Sequence, residues 1–204
     1  MRHFVAVLAG AMVMTGGLAA CSSGSSASGA GTPTATASSG TSAAVLASAA
    51  FAAPAASGKQ PAGVTYNTGL VPTGAQAIIK AKVEDGGREI TLAVSGLRPN
   101  RTYGSHVHAK ACGAKPADSG PHYQDKKDPV QPWADPAYAN KNNEVWLDFT
   151  TNAKGEATMT SHVKWAFRKG QANSVVIHAN RTSTEPGMAG MAGDRLACLT
   201  APFS

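Results

Sequence analysis

The chain has 204 residues, with 18 Lys and Arg against 12 Asp and Glu and a formal charge of +6 when the histidines are neutral. Its basic residues are scattered, with small pairs at Lys126-Lys127 and Arg168-Lys169 and no interleaved aromatics, which argues against a nucleic-acid surface. A positive surplus of this size still favours collection of a small anion.

Arg2 and His3 precede an uncharged apolar run over residues 4–18, the layout of an export signal. A run of roughly 15 residues is short of the roughly 20 that a membrane-spanning helix needs, so residues 1–20 are expected to be a signal peptide. Leu18-Ala19-Ala20-Cys21 resembles the bacterial lipoprotein cleavage box. That resemblance implies cleavage before Cys21, lipid on its sulfur, and anchoring to the bacterial cell membrane on the extracytoplasmic side. An ordinary signal peptide cut among the same small residues is the alternative.

Residues 21–60 are dominated by Ser, Gly, Ala and Thr and carry too few large apolar side chains to offset the entropy of ordering, so a flexible tether is expected. The Ala-rich stretch 43–53 is expected to form a transient helix at most. One folded domain is expected over residues 61–204, which is 204 − 60 = 144 residues. A domain of that length buries about 70% of the surface its unfolded chain exposes. With Cys21 lipidated, export leaves Cys112 and Cys198 in a compartment where thiols oxidise, and they are expected to pair.

Within the domain the pattern becomes short, alternating and β-branched, predicting strands over 75–83, 88–94, 103–108, 144–150, 156–163, 173–178 and 195–200. Glu84-Asp85-Gly86-Gly87 predicts a tight hairpin between the first two, and Asn152-Ala153-Lys154-Gly155 turns a later pair. The fold class is therefore all-β: a Greek-key antiparallel sandwich or flattened barrel of about eight strands. Two long irregular stretches, 109–143 and 179–194, have the length of functional loops.

His106 and His108 flank Val107 on a predicted strand, so their imidazoles share one face and can grip one ion. Further along stand Cys112, Gly120-Pro121-His122, Val175-Val176-Ile177-His178 and Asp194-Arg195-Leu196-Ala197-Cys198. This ordered set, with Gly96-Leu97-Arg98-Pro99 before it, resembles the copper/zinc superoxide dismutases over most of residues 63–204. The resemblance implies that His106, His108, His122 and His178 bind copper, with His122 moving during turnover. It implies that Arg195 guides superoxide to the metal, and that a Cys112–Cys198 disulfide ties the site loop to the strand of Arg195. It also admits a homodimer.

The zinc half of the family site is largely missing. Between His122 and Glu144 stand Asp125, Asp128 and Asp135 but no further histidine, and the family's linking Asp after the last ligand is replaced by Ala179-Asn180-Arg181-Thr182-Ser183. A structural zinc site wants four good ligands, so copper without zinc is expected. Glu144, aligning near the family's zinc aspartate, is expected to hydrogen-bond the distal nitrogen of His122. His162 is expected to be a surface or core residue. Met188 and Met191 have a spacing suited to Cu(I) handling, with loop filler as the plainer reading. Three functions stay open at this point: a superoxide dismutase, a copper-binding or storage protein of the same fold with little turnover, or a structural or interaction module that kept the fold after losing catalysis.

Overall fold

A computed structural model describes residues 42–130 and 134–204; the expected signal peptide, Cys21 and the first half of the expected tether lie outside them. Among the described residues, nine strands form one sheet that curls into a nearly closed barrel: β1 (Ala44–Ala52), β2 (Gly63–Thr65), β3 (Gln76–Glu84), β4 (Gly87–Ser95), β5 (Thr102–His108), β6 (Phe149–Thr150), β7 (Ala157–Val163), β8 (Ala172–His178) and β9 (Arg195–Phe203). Their order is β6-β5-β8-β9-β2-β1-β3-β4-β7, and the two end strands β6 and β7 lie beside each other. All pairings are antiparallel except the short parallel contact of β1 with β2.

The hairpin predicted at Asp85-Gly86 is present, with Glu84 opposite Gly87 across a two-residue loop. Strand periodicity is equally direct in β4, where Ile90, Leu92 and Val94 point into the core while the residues between them are half-exposed. Tyr103, Leu147, Ile177 and Leu199 complete the interior from the other side.

The tether expected over residues 21–60 ends earlier than its composition indicates. Ala44–Ala52 is β1, paired along β3 from Ala44↔Ala81 to Ala50↔Gln76, with Phe51 buried in the core. Small side chains give such a segment little to bury by itself, but β3 offers a row of backbone hydrogen-bonding groups that a strand satisfies whatever its side chains. Burial of Phe51 and partial burial of Leu46 supply the rest.

A second difference concerns 144–150, of which only Phe149–Thr150 is ladder. The preceding residues run extended beside β5, with a single bridge between His106 and Trp146 and a bond from Leu147 N to Ser105 O of 2.7 Å. The ladder breaks because the Ser105 N–H donates to the Asp148 carboxylate at 3.1 Å instead of to backbone.

Candidate metal centre

His106 and His108 project from β5 to one face while Val107 enters the core on the other, as the two-residue strand period requires. His178 ends the neighbouring strand β8, and an irregularity between Ile177 and His178 sets it opposite Arg195 of β9. His122 comes from the long loop, which returns antiparallel to the end of β5 through Ala109 N–Pro121 O, Tyr123 N–Val107 O and a His108↔His122 bridge. Gly104 on β5 is needed for the second loop to close over the site: a β-carbon there would meet Asn180 O at 2.5 Å and the Ala192 methyl at 2.7 Å.

The four histidines each offer one ring nitrogen, and these atoms lie within 4.8 Å of one another. Their partners dictate which nitrogen carries the proton. His108 Nδ1 donates to Gly120 O at 2.9 Å, His178 Nδ1 to Gly193 O at 3.2 Å, and His122 Nδ1 to Glu144 Oε2 at 2.9 Å. In all three the Nε2 lone pair is left free.

His106 is reversed. Its Nε2 lies 2.7 Å from the hydroxyl of Thr182, whose single proton goes to Asp148 Oδ1 at 2.6 Å. The hydroxyl must then accept from Nε2–H, which leaves the lone pair on Nδ1. That Nδ1 is fully buried and has no protein partner.

Four lone pairs thus converge in a place closed to water on most sides. His108 Nε2 and His178 Nε2 face each other at 3.2 Å, both as acceptors, an arrangement that repels unless a cation is shared between them. Burial holds His106 and His108 well below the ordinary histidine range and takes His178 down to about 3, with repulsion from His122 adding to each. Neutral imidazole is the form that ligates a metal. The residues therefore fit a metal ion, and imidazole donors suit copper in both of its oxidation states.

Glu144 is 1% exposed. Besides His122, its Oε2 accepts from Trp146 Nε1 at 2.8 Å and its Oε1 from Gln124 Nε2 at 2.8 Å. The other acids between His122 and Glu144 have partners elsewhere, except that Asp128 Oδ2 is buried without one among the described residues. Asp125 pairs with Arg168 at 3.7 Å, Asp128 accepts from Val130 N, and Asp135 accepts from Ala137 N.

Arg195 lines a cleft of about 350 Å³ together with His122, His178, Glu144 and Met191. Its guanidinium donates to Pro116 O and Ser119 Oγ, both at 3.0 Å, in a short 3₁₀ turn, Pro116–Ser119, of the first loop. Partial burial lowers its pKa from the usual guanidinium value. Cys112 and Cys198 form a disulfide that joins this loop to β9.

His162 lies apart on the outer sheet face, 3.1 Å from Glu84 and near Glu89, with Lys82 3.7 Å from the same Glu84. Sequence reasoning missed Asp148 and Thr182. Asp148 was within reach, because Glu144, Trp146 and Asp148 alternate with the buried Val145, Leu147 and Phe149 and so share the face of the site.

The fold and site together define an all-β barrel carrying a four-histidine metal-binding group. Residues 74–200 match the family described as copper/zinc superoxide dismutase (SODC), and the chain belongs to that family. No curated protein matches the chain. Among solved structures it is similar to the Cu/Zn superoxide dismutase from Brucella abortus, at 21% identity and a TM-score of 0.44 over 61% of this chain and 87% of that one. It is also similar to a SOD-like protein from Bacillus subtilis, at 17% identity and a TM-score of 0.46 over 61% and 89% of the two chains. The clock protein EA4 stands at 20% identity and a TM-score of 0.48, over 64% and 88%.

Proposed function

We propose that this protein is a copper-dependent superoxide dismutase, working without zinc, held outside the cytoplasm by lipid on Cys21. The observation that carries the reading is the convergence of four imidazole lone pairs beside Arg195, a cation that a small anion meets in the same cleft.

Bound copper would supply the one-electron couple by which two superoxide ions and two protons become hydrogen peroxide and dioxygen. His106, His108, His122 and His178 would hold it. Arg195 draws superoxide into the cleft and orients it, and the contacts to Pro116 and Ser119 keep the guanidinium in place. His122 has the most exposed side chain of the four, at 17%, so it is the ring that solvent protons reach most readily. Glu144 keeps the other proton of that ring on Nδ1.

A zinc-free site is supported by the same bond. In the family the distal nitrogen of the bridging histidine binds zinc, whereas here His122 Nδ1 is committed to Glu144, and Asp125 and Asp135 are engaged by Arg168 and backbone. Export and anchoring are supported by the apolar leader and by Leu18-Ala19-Ala20-Cys21.

The decisive experiment is pulse radiolysis of the copper-loaded protein, paired with metal analysis of material isolated under native conditions. Near-diffusive turnover with one copper and little zinc is expected. Arg195→Ala should keep the copper but lose about tenfold in rate and much of its dependence on salt. Stoichiometric copper without turnover would replace this reading with that of a copper store.

A further inference from the structure

We propose that Met188 and Met191 form an acquisition site for Cu(I) at the rim of the metal cleft, from which the ion passes to the histidines. The inference rests on the copper reading above and adds the route by which the metal arrives.

Residues 185–191 consist of two consecutive turns. Met188 N bonds Glu185 O and Met191 N bonds Met188 O, both at 3.0 Å, and the third residue of each turn is a glycine, Gly187 at φ 76° and Gly190 at φ 78°. This is the signature of type II turns, the first with proline in its favoured second place. The first and fourth residues of such a turn have α-carbons within about 7 Å, a separation that two methionine side chains can span to reach one ion. The backbone is ordered from beneath: Gly190 N donates to Ser183 O and Ser183 N to Met191 O.

The placement of side chains is the opposite of ordinary apolar packing. Ala189 and Ala192 are buried, while the two larger apolar side chains of the loop, Met188 and Met191, are 55% and 52% exposed. Both are therefore accessible to an ion arriving from solvent. Thioether sulfur is a soft donor that selects Cu(I) over the hard cations abundant outside cells. Met191 lines the cleft that also exposes His122 and His178, and Gly190 lies 3.8 Å from His122 Nδ1 at the position a β-carbon would take. Two thioethers hold Cu(I) less firmly than four converging imidazoles do, so ligand exchange runs inward. The ion keeps its charge and no electron moves.

The test uses the full chain carrying methyl-labelled methionine, titrated anaerobically with Cu(I). The histidines are expected to take the first equivalent and the methyl signals of Met188 and Met191 to shift with the second, while Met159, exposed on the distant strand β7, stays in place. In Met188→Leu/Met191→Leu, transfer of Cu(I) from a chelator buffer to the histidines should slow by about tenfold, with the final affinity unchanged, because only local capture is lost. Unmoved Met188 and Met191 signals, or an unchanged transfer rate, would overturn the inference while leaving the histidine site intact. Methionine signals that move in a wild-type chain whose histidines never retain copper would overturn both it and the copper reading.

Discussion

The carboxylate of Glu144 accepts the Nδ1 proton of His122 at 2.9 Å from a fully interior position. Three donors reach its two oxygens, from His122, Trp146 and Gln124. A glutamine has one acceptor oxygen and cannot serve all three. Glu144→Gln should therefore lower unfolding stability by about 1–3 kcal/mol. It should also weaken copper binding by about 10- to 100-fold, because a ligating imidazole loses its orienting carboxylate. Competition titration against a copper chelator, with urea melts of the metal-free protein, checks both. Unchanged affinity would show that the bond is incidental.

Thr182 and Asp148 act on His106 as positioning residues. Thr182→Val keeps the shape of the side chain and removes the acceptor for Nε2–H, so the ring loses the bond that keeps its lone pair on Nδ1. Copper affinity should fall by about tenfold, and the Cu(II) electron paramagnetic spectrum should change. Thr182→Ser retains a hydroxyl and should restore both. Equal spectra for the valine and serine variants would refute the assignment.

The disulfide spans 86 positions. Closing so long a loop is worth about 4–5 kcal/mol in the chain-entropy treatment. The bridge also holds the loop whose Pro116 and Ser119 fasten Arg195. Cys112→Ser/Cys198→Ser should lower the urea midpoint and slow superoxide consumption, while four-histidine copper binding persists. A variant as stable and as fast as the parent would contradict this account.

The buried histidines give the metal-free protein a defined pH dependence. His106, His108 and His178 have folded pKa values depressed below the unfolded value of about 6.5, so below that pH the unfolded chain takes up protons the folded chain refuses. Stability is thus fully present above about pH 6.5 and is lost as pH falls, for His178 down to about 3. Each group adds a slope of up to about 1.4 kcal/mol per pH unit. Urea midpoints should decline steadily between about pH 6.5 and 4.5, and a flat profile would mean that these rings are solvated.

Much of this was legible in the chain itself. Strand periodicity identified most of the barrel, Asp85-Gly86 marked its tightest hairpin, and the spacing of His106 and His108 placed two donors on one face. These are local properties, settled by residues within a few positions of each other. The cysteine pair was legible from the export signal, which leaves two thiols to oxidise, and the remaining site histidines through family resemblance.

Tertiary structure decided what depends on distant chain segments meeting. β1 is a strand because β3 presents it a backbone edge, although its own side chains give little reason to order. The proton on His106 is assigned by a hydroxyl 76 positions away, which is itself held by a carboxylate 34 positions from it. Periodicity states which face a side chain occupies, but only the crossing of loops over that face determines which atom it meets there.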